Sequence, residues 1–200
     1  MLKLWDYHTH HERCNHAKGK LSLYVKAAID NNLSEIGLSD HWPMGLMPNK
    51  DLVEAWAMLP EIIPEYLKEA QELKSKFQKQ ITVKIGTEID FFFFFFQDYS
   101  AQILPYLDEF DYMIGSVHVI RSPEGNFIPI DGGNNPQLME SIGITKFYQI
   151  YYKELYKMIK TGYFQIVGHF DLPKKYGIHA PEEIWTEIHK ILKIKKKSGM

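Results

Sequence analysis

Side chains that commonly bind metal ions recur along this chain, each just after a segment that resembles a β-strand. These residues are His8, His10, His41, Glu88, His118 and His169. The first two are separated by a single residue, and alternate residues of an extended chain point to the same side. His8 and His10 can therefore present two imidazoles to one cation while Thr9 faces elsewhere.

The strand-end position of these residues favours one shared metal site. A single histidine after a strand is more often structural, but the carboxyl ends of parallel strands converge, so residues distant in sequence are brought together. Imidazole and carboxylate suit zinc, iron or manganese, and a carboxylate such as Glu88 can bridge two cations. Two cations about 3.5–4 Å apart can hydrolyse a phosphate ester. The residues thus predict a divalent-metal site.

Strand-like segments alternate with helical segments, as expected for successive βα units. Strands are predicted at residues 2–7, 35–39, 81–85, 111–117 and 164–167. Helices are predicted at residues 21–31, 59–79, 99–109, 146–160 and 181–197, and residues 121–136 are predicted to form a loop. The pattern predicts an α/β fold with a parallel sheet or barrel.

Composition limits the possible classes. A length of 200 residues suits a single domain, and a net charge of −2 gives no basic surface for nucleic acid. The longest apolar run, residues 91–96, is far shorter than the ~20 residues that span a bilayer, so no membrane partner is expected. The single cysteine, Cys14, and the absence of a signal-like start predict a cytoplasmic location.

The apolar run consists of six consecutive phenylalanines, residues 91–96. Successive side chains of a strand face opposite ways, so burial of all six rings requires cover on both faces. The alternative is an exposed, aggregation-prone loop. We assign the run no function.

Several further residues have both a functional and a structural interpretation. Arg121, three residues after His118, is the preferred phosphate ligand because its planar fork donates two parallel hydrogen bonds; exposure to solvent is the alternative. His16 is balanced between metal ligand and surface residue. Cys14 is expected to be an inert thiol rather than a soft ligand.

The remaining histidines and three aspartates are weaker candidates. His11 is expected to support the ligands or face solvent, and His179 and His189 are expected at the surface. Three aspartates lie beside proposed ligands and either cap turns or hydrogen-bond to an imidazole. They are Asp6, Asp40 and Asp171.

An ordered series of motifs resembles the polymerase and histidinol phosphatase (PHP) superfamily, and within it the monofunctional histidinol-phosphatases. The motifs are Asp6-Tyr7-His8-Thr9-His10 with Cys14-Asn15-His16-Ala17, Leu38-Ser39-Asp40-His41, Gly86-Thr87-Glu88-Ile89-Asp90, Ile114-Gly115-Ser116-Val117-His118 and Val167-Gly168-His169-Phe170-Asp171. Each motif is weak alone, but their order and spacing through nearly the whole chain are specific.

The resemblance implies a distorted TIM-like (β/α)7 barrel with three divalent metals at the carboxyl ends of its strands. By this resemblance His8 and His10 hold the first metal, and Glu88 bridges the first and second. His118 and His169 hold the second, and His16 with His41 holds the third. Glu88, His118 and His169 then act catalytically through these metals, and the implied reaction is hydrolysis of L-histidinol phosphate to L-histidinol and phosphate, a step of histidine biosynthesis.

Two departures from the family pattern leave alternatives open. The family continues to a late strand that carries an aspartate and a histidine ligand, so residues 1–200 are expected to be a single PHP domain that lacks its last βα units. The phenylalanine run replaces a loop after Glu88. The alternatives are a phosphoesterase acting on another phosphate ester and a catalytically silent metal-binding domain. The sequence does not indicate the metal or the oligomeric state.

Overall fold

The computed structural model describes residues 3–42, 56–92, 101–130 and 135–197. The chain divides into two compact units, Met1–Ile89 with Phe95–Ile114 and Asp90–Phe94 with Gly115–Met200. Each unit is described by itself below.

The first unit alternates strands with helices. Its elements are β1 (Trp5–Asp6), α1 (Leu21–Asp30), β2 (Glu35–Leu38), a 3₁₀-helix (Pro60–Ile62), α2 (Ile63–Phe77), β3 (Thr82–Asp90), a second 3₁₀-helix (Leu104–Glu109) and the start of β4 (Tyr112–Ser116). β2 pairs in parallel with β1 and with β3, with Trp5 opposite Glu35 and Leu38 opposite Ile85.

Helix α2 illustrates why these segments fold as they do. Its apolar stripe, formed by residues that recur at helical spacing, is buried throughout: Ile63, Tyr66, Leu67, Ala70, Leu73 and Phe77. Proline near the start of the helix costs little because the first N–H groups have no partner within a helix. The Tyr66 hydroxyl lies 2.9 Å from the carbonyl oxygen of Leu38 and 2.7 Å from that of Gly86, so α2 is tied to the end of β2 and to the middle of β3.

Glycines on β2 and β3 make room for one tyrosine of β4. A Cβ atom at Gly37 would lie 2.0 Å from Oη of Tyr112, and one at Gly86 would lie 2.3 Å from its Cζ. The Tyr112 hydroxyl donates to the carbonyl oxygen of Tyr7, at 2.7 Å. The ring therefore fills the space over the sheet and fixes the chain that leads from β1 to the first histidines.

The second unit contains the end of β4 and the elements that follow it. They are β5 (Val119–Arg121), β6 (Phe127–Pro129), α3 (Asn135–Ile142), α4 (Ile144–Lys160), β7 (Ile166–Val167), 3₁₀-helices Leu172–Tyr176 and Glu182–Ile184, and α5 (Trp185–Lys197). The five-stranded sheet has the order β1-β2-β3-β4-β7, and the Gly168 N–H donates to the carbonyl oxygen of Gly115, at 2.9 Å, beside β7.

The predicted α/β fold is confirmed, but the loop predicted at residues 121–136 was wrong. Residues 121–136 are not a plain loop, because β5 and β6 form an antiparallel hairpin around a turn in which Gly125 has φ +95°. Helix α3 then begins at Asn135. The predicted helix 99–109 ends in a 3₁₀-helix, Leu104–Glu109, with a proline at its start.

The phenylalanine run falls partly within the described residues. Phe91 and Phe92 are buried, and the Phe91 ring makes an edge contact with Phe164 at 6.4 Å between centroids. Residues 93–96 lie outside the described part of the chain. Among the described helices, none has the length and apolar character needed to cross a membrane.

Candidate metal centre

A buried carboxylate surrounded by imidazoles forms the centre of the first unit. Oε2 of Glu88 lies 2.7 Å from Nε2 of His8, 3.0 Å from Nε2 of His10 and 3.4 Å from Nε2 of His41. Glu88 is 0% exposed and His41 is 1% exposed. Four ligand atoms from three separate segments of the chain therefore converge on one small space.

The donor set of this cluster fits a divalent cation. Nδ1 of His16 lies 3.1 Å from Nε2 of His41, and ligand atoms of His10, His16 and His41 all lie within 4.8 Å of one another. A buried carboxylate with adjacent imidazole nitrogens is the ligand chemistry of zinc, iron and manganese. His16 is itself exposed but lies beside His10 and His41, so its role as a metal ligand stays a prediction.

The segment between β1 and α1 is held by the residues that alternate with its histidines. Thr9 Oγ1 donates to the carbonyl oxygen of Gly37, at 2.7 Å, and the Thr9 N–H donates to Oγ of Ser39, at 2.9 Å. Thr9 thus faces β2 while its two neighbours, His8 and His10, reach Glu88. The spacing argument from the sequence describes this arrangement correctly.

Glu88 itself lies within a strand rather than after one. The strand predicted to end at residue 85 continues as β3 to Asp90. The Glu88 N–H donates to the carbonyl oxygen of Asp40, at 3.1 Å, and the Trp42 N–H donates to that of Glu88, at 2.7 Å. This pairing extends the ladder past β2 and brings His41 level with Glu88.

A second buried cluster in the first unit is formed by Asp40, His11 and Cys14. Oδ1 of Asp40 accepts from the backbone N–H of His11 at 2.6 Å and lies 2.9 Å from its Nδ1. The same oxygen is 3.3 Å from Sγ of Cys14. His11 and Asp40 are both 0% exposed, so His11 does not face solvent. Asp40 therefore ties down the segment that carries His16.

Burial changes the proton affinity of two groups in this region. Burial raises the pKa of Cys14 to about 12, with a further contribution from the charge of Asp40. This agrees with the expectation of an inert thiol. Burial lowers the pKa of His10, although the hydrogen bond to Glu88 opposes this shift. The lowered pKa favours the neutral imidazole, which is the form that binds metals.

The second unit contributes another histidine–carboxylate group. Nδ1 of His118 lies 2.5 Å from Oδ1 of Asp90, and both residues are buried. The rings of His118 and His169 are 5.0 Å apart between centroids. Asp90 was not a sequence candidate, although its position two residues after Glu88 repeats the spacing of His8 and His10 and could have indicated it.

The two arginines take different positions. Nη2 of Arg13 is 3.0 Å from Oε1 of Glu65 and also pairs with Glu69. Arg121 is exposed at the end of β5, and its Nε donates to the carbonyl oxygen of Gly125, at 3.0 Å. The phosphate-binding role of Arg121 stays a prediction.

The remaining sequence candidates lie at the surface or in turns. Asp6 accepts the N–H of His8, at 3.0 Å, which is a turn role. Asp171 is exposed, and its Oδ2 lies 3.5 Å from Nζ of Lys174. His179 and His189 are exposed, as the sequence predicted.

The sequence of this chain matches a known protein family. A model of the PHP domain matches residues 6–200. The chain belongs to the PHP domain family. A Deinococcus radiodurans protein named "Probable histidinol-phosphatase" is 32% identical over 93% of this chain and 67% of its own length. The Bacillus subtilis "Histidinol-phosphatase" is 26% identical over 86% of this chain and 67% of its own length.

Solved structures place the chain in the same fold. A crystal structure from Listeria monocytogenes, of a protein proposed to be a histidinol phosphatase, superposes with a TM-score of 0.86 over 97% of this PHP chain and 79% of the other. A histidinol phosphate phosphatase from Lactococcus lactis, complexed with zinc, L-histidinol and phosphate, superposes with a TM-score of 0.67 over 96% and 67%. Both are 22% identical in sequence. The predicted PHP-type fold is confirmed.

Proposed function

We propose that this PHP chain is a metal-dependent phosphomonoesterase that converts L-histidinol phosphate into L-histidinol and phosphate. The observation that carries the proposal is the buried Glu88 carboxylate with three imidazole nitrogens within 3.4 Å of one oxygen. The proposed substrate is supported by the names of the relatives. It is also supported by the Lactococcus lactis protein, which binds zinc, L-histidinol and phosphate. A cytoplasmic location is part of the proposal.

Seven residues would hold the metals, which we propose to be three. In the first unit they are His8, His10, His16, His41 and Glu88, and in the second unit His118 and His169. Zinc, iron and manganese all suit this set, and zinc is favoured by the Lactococcus lactis complex. The cations, when bound, would supply positive charge for the phosphate oxygens and lower the pKa of a water molecule.

The chain itself supplies orientation and proton control. Asp90 holds the proton of His118 on Nδ1, which leaves the Nε2 lone pair for a cation. The contact between Thr9 and β2 keeps His8 and His10 on the side of Glu88. Arg121 is the proposed phosphate ligand. Because its Nε–H already donates to the carbonyl oxygen of Gly125, its Nη groups would bind the phosphate oxygens.

Phosphate release by the 200-residue chain tests the proposal. The protein is stripped with a chelator, reloaded separately with zinc, manganese or iron, and offered L-histidinol phosphate, an unrelated phosphomonoester and a phosphodiester. We expect metal-dependent release that is fastest with L-histidinol phosphate and lost in Glu88→Gln. His179→Gln, which changes an exposed histidine, should behave like the parent protein.

Two outcomes would replace the proposal with another function. Faster turnover of a different ester would keep the enzyme class and change the substrate. Tight metal uptake with no turnover of any ester would indicate a metal-binding domain without catalysis.

A further inference from the structure

The backbone of His169 adopts an uncommon conformation. Its φ is +46°, in the left-handed region, and among the described residues only Asn15 and Asn32 share a positive φ without being glycine. Such a conformation is sparsely populated by side-chain-bearing residues and persists only where the surroundings hold it. Contacts around His169 must therefore stabilise its left-handed backbone conformation.

Hydrogen bonds fix the backbone on both sides of His169. Before it, the Gly168 N–H donates to the carbonyl oxygen of Gly115, at 2.9 Å. After it, the His169 carbonyl oxygen accepts two donors, the Leu172 N–H at 3.1 Å and the hydroxyl of Tyr151. Both lone pairs of this oxygen are then used, so the peptide that follows His169 has a defined orientation.

Tyr151 is well placed to hold this peptide. It is 0% exposed in the middle of α4, and its ring makes an edge contact with Tyr152 at 5.3 Å between centroids. A buried aromatic side chain on a helix has little freedom, so its hydroxyl is a rigid donor. The hydrogen bond fixes the backbone from which the imidazole of His169 reaches toward His118.

We propose that Tyr151 is a positioning residue that holds His169 in its left-handed conformation and so sets its imidazole for metal binding. The inference rests on the proposed function only in taking His169 as a metal ligand. Removal of a residue that orients a metal ligand without binding the metal lowers metal affinity by about 10–100-fold.

The test compares two tyrosines of the same helix. Tyr151→Phe removes the hydroxyl that reaches His169, whereas Tyr148→Phe removes an equally buried hydroxyl that donates to the carbonyl oxygen of Ile178, at 2.5 Å. Zinc is titrated into the metal-free chain against a chromophoric chelator. We expect an about 10–100-fold loss of zinc affinity for Tyr151→Phe, none for Tyr148→Phe, and similar shifts in the Tm of the two metal-free variants.

A double-mutant cycle separates positioning from general stability. In a His169→Ala background, Tyr151→Phe should cause no further loss of zinc affinity, because the residue it positions no longer binds. Equal zinc affinities for Tyr151→Phe and Tyr148→Phe would overturn the inference. So would a loss that persists undiminished in the His169→Ala background.

The same experiment distinguishes failure of this inference from failure of the proposed function. Zinc affinity is measured without substrate. A chain whose zinc affinity depends on His169 and on the Tyr151 hydroxyl that positions it, but that does not hydrolyse L-histidinol phosphate, would retain the inference and lose the proposed reaction. A chain whose zinc affinity is unchanged by His169→Ala would lose the inference even if it were active.

Discussion

Nδ1 of His118 lies 2.5 Å from Oδ1 of Asp90, with both side chains buried in the second unit. A carboxylate in this position accepts a hydrogen bond from Nδ1–H, which fixes the tautomer and makes Nε2 the basic nitrogen. A histidine held in this way is prepared to bind a cation. Asp90 is therefore part of the candidate site, even though the sequence pattern did not single it out.

Replacement of Asp90 tests this relationship. Asp90→Asn keeps the size of the side chain but removes its charge, and we expect metal affinity to fall by about 10–100-fold. The measurement is a chelator-competition titration with elemental analysis of the loaded protein. Asp171→Asn, which changes an exposed carboxylate next to another proposed ligand region, should leave the affinity unchanged. Equal effects of the two variants would argue against a role for Asp90.

Glu88→Gln should have opposite effects on the metal-free and metal-loaded protein. A buried carboxylate costs free energy without a compensating charge, so the metal-free variant should be at least as stable as the parent at pH 8. The loss of metal affinity in this variant should exceed the about 10–100-fold loss expected when a residue that only hydrogen-bonds to a metal ligand is removed.

Thermal unfolding with and without zinc measures both effects of Glu88→Gln. The parent should show a zinc-dependent rise in Tm that the variant lacks, because a ligand that binds only the folded state stabilises it. A metal-free variant much less stable than the parent would show that Glu88 is primarily structural.

Periodicity and residue type predicted the parts of the fold that repeat along the chain. The stripe of α2 and the strands that lead to His8, His41 and His118 follow from local patterns, since burial of one face imposes a period on the sequence. The convergence of His8, His10 and His41 on Glu88 followed from the rule that parallel strand ends meet.

The elements that the sequence did not predict depend on contacts between distant residues. The hairpin of β5 and β6 contains a short turn with Gly125 that could have indicated it, but the glycine- and asparagine-rich composition favoured a loop. A hydrogen bond between Asp40 and an imidazole was one of the two roles that the sequence left open, and its pairing with His11 confirms it. The pairing of Asp90 with His118 was not predicted, because it depends on side-chain direction across 28 positions. The spacing of Glu88 and Asp90 along β3 could have indicated Asp90 as a site residue, but it does not identify His118 as its partner.

Asp40 should stabilise the segment that carries three proposed ligands. Its Oδ1 accepts the His11 N–H at 2.6 Å and contacts Cys14, while its Oδ2 is buried with no hydrogen-bond partner. Asp40→Asn would place an amide group at that unpartnered position and remove the charge. We expect a loss of about 1–3 kcal/mol in the free energy of unfolding, measured by urea denaturation of the metal-free chain.

The control for Asp40 is an aspartate with no buried environment. Asp30 is exposed at the last residue of α1, so Asp30→Asn should change stability by less than about 0.5 kcal/mol. If Asp40→Asn were equally harmless, the buried cluster would not be what holds the histidine segment.

Asp111 joins α2 to the strands, and its contribution should depend on pH. Oδ2 of Asp111 accepts from Nζ of Lys74 at 2.7 Å and from the Ile85 N–H at 2.8 Å. Burial alone would raise the pKa of Asp111, but the hydrogen bond from Lys74 and then that from Ile85 lower it below its ordinary value of 3.8. The folded state therefore favours the ionised carboxylate.

The sign of the pH effect follows from this lowered pKa. Stability from the Asp111 charge is fully present above the unfolded-state pKa and is lost as the pH falls through the folded-state pKa. Asp111→Asn should lower the free energy of unfolding by about 0.5–1 kcal/mol at pH 7, because the pair with Lys74 is partly exposed to solvent, which weakens it. This difference should vanish in acid.

Urea denaturation across pH 2–7 checks this expectation, with Asp108→Asn as the exposed control from the preceding 3₁₀-helix. Asp111→Ala should be less stable than Asp111→Asn by about 1–3 kcal/mol at every pH, because alanine also leaves the Ile85 N–H without its side-chain acceptor. A difference between parent and Asp111→Asn that stays constant with pH would show that the carboxylate charge is not responsible.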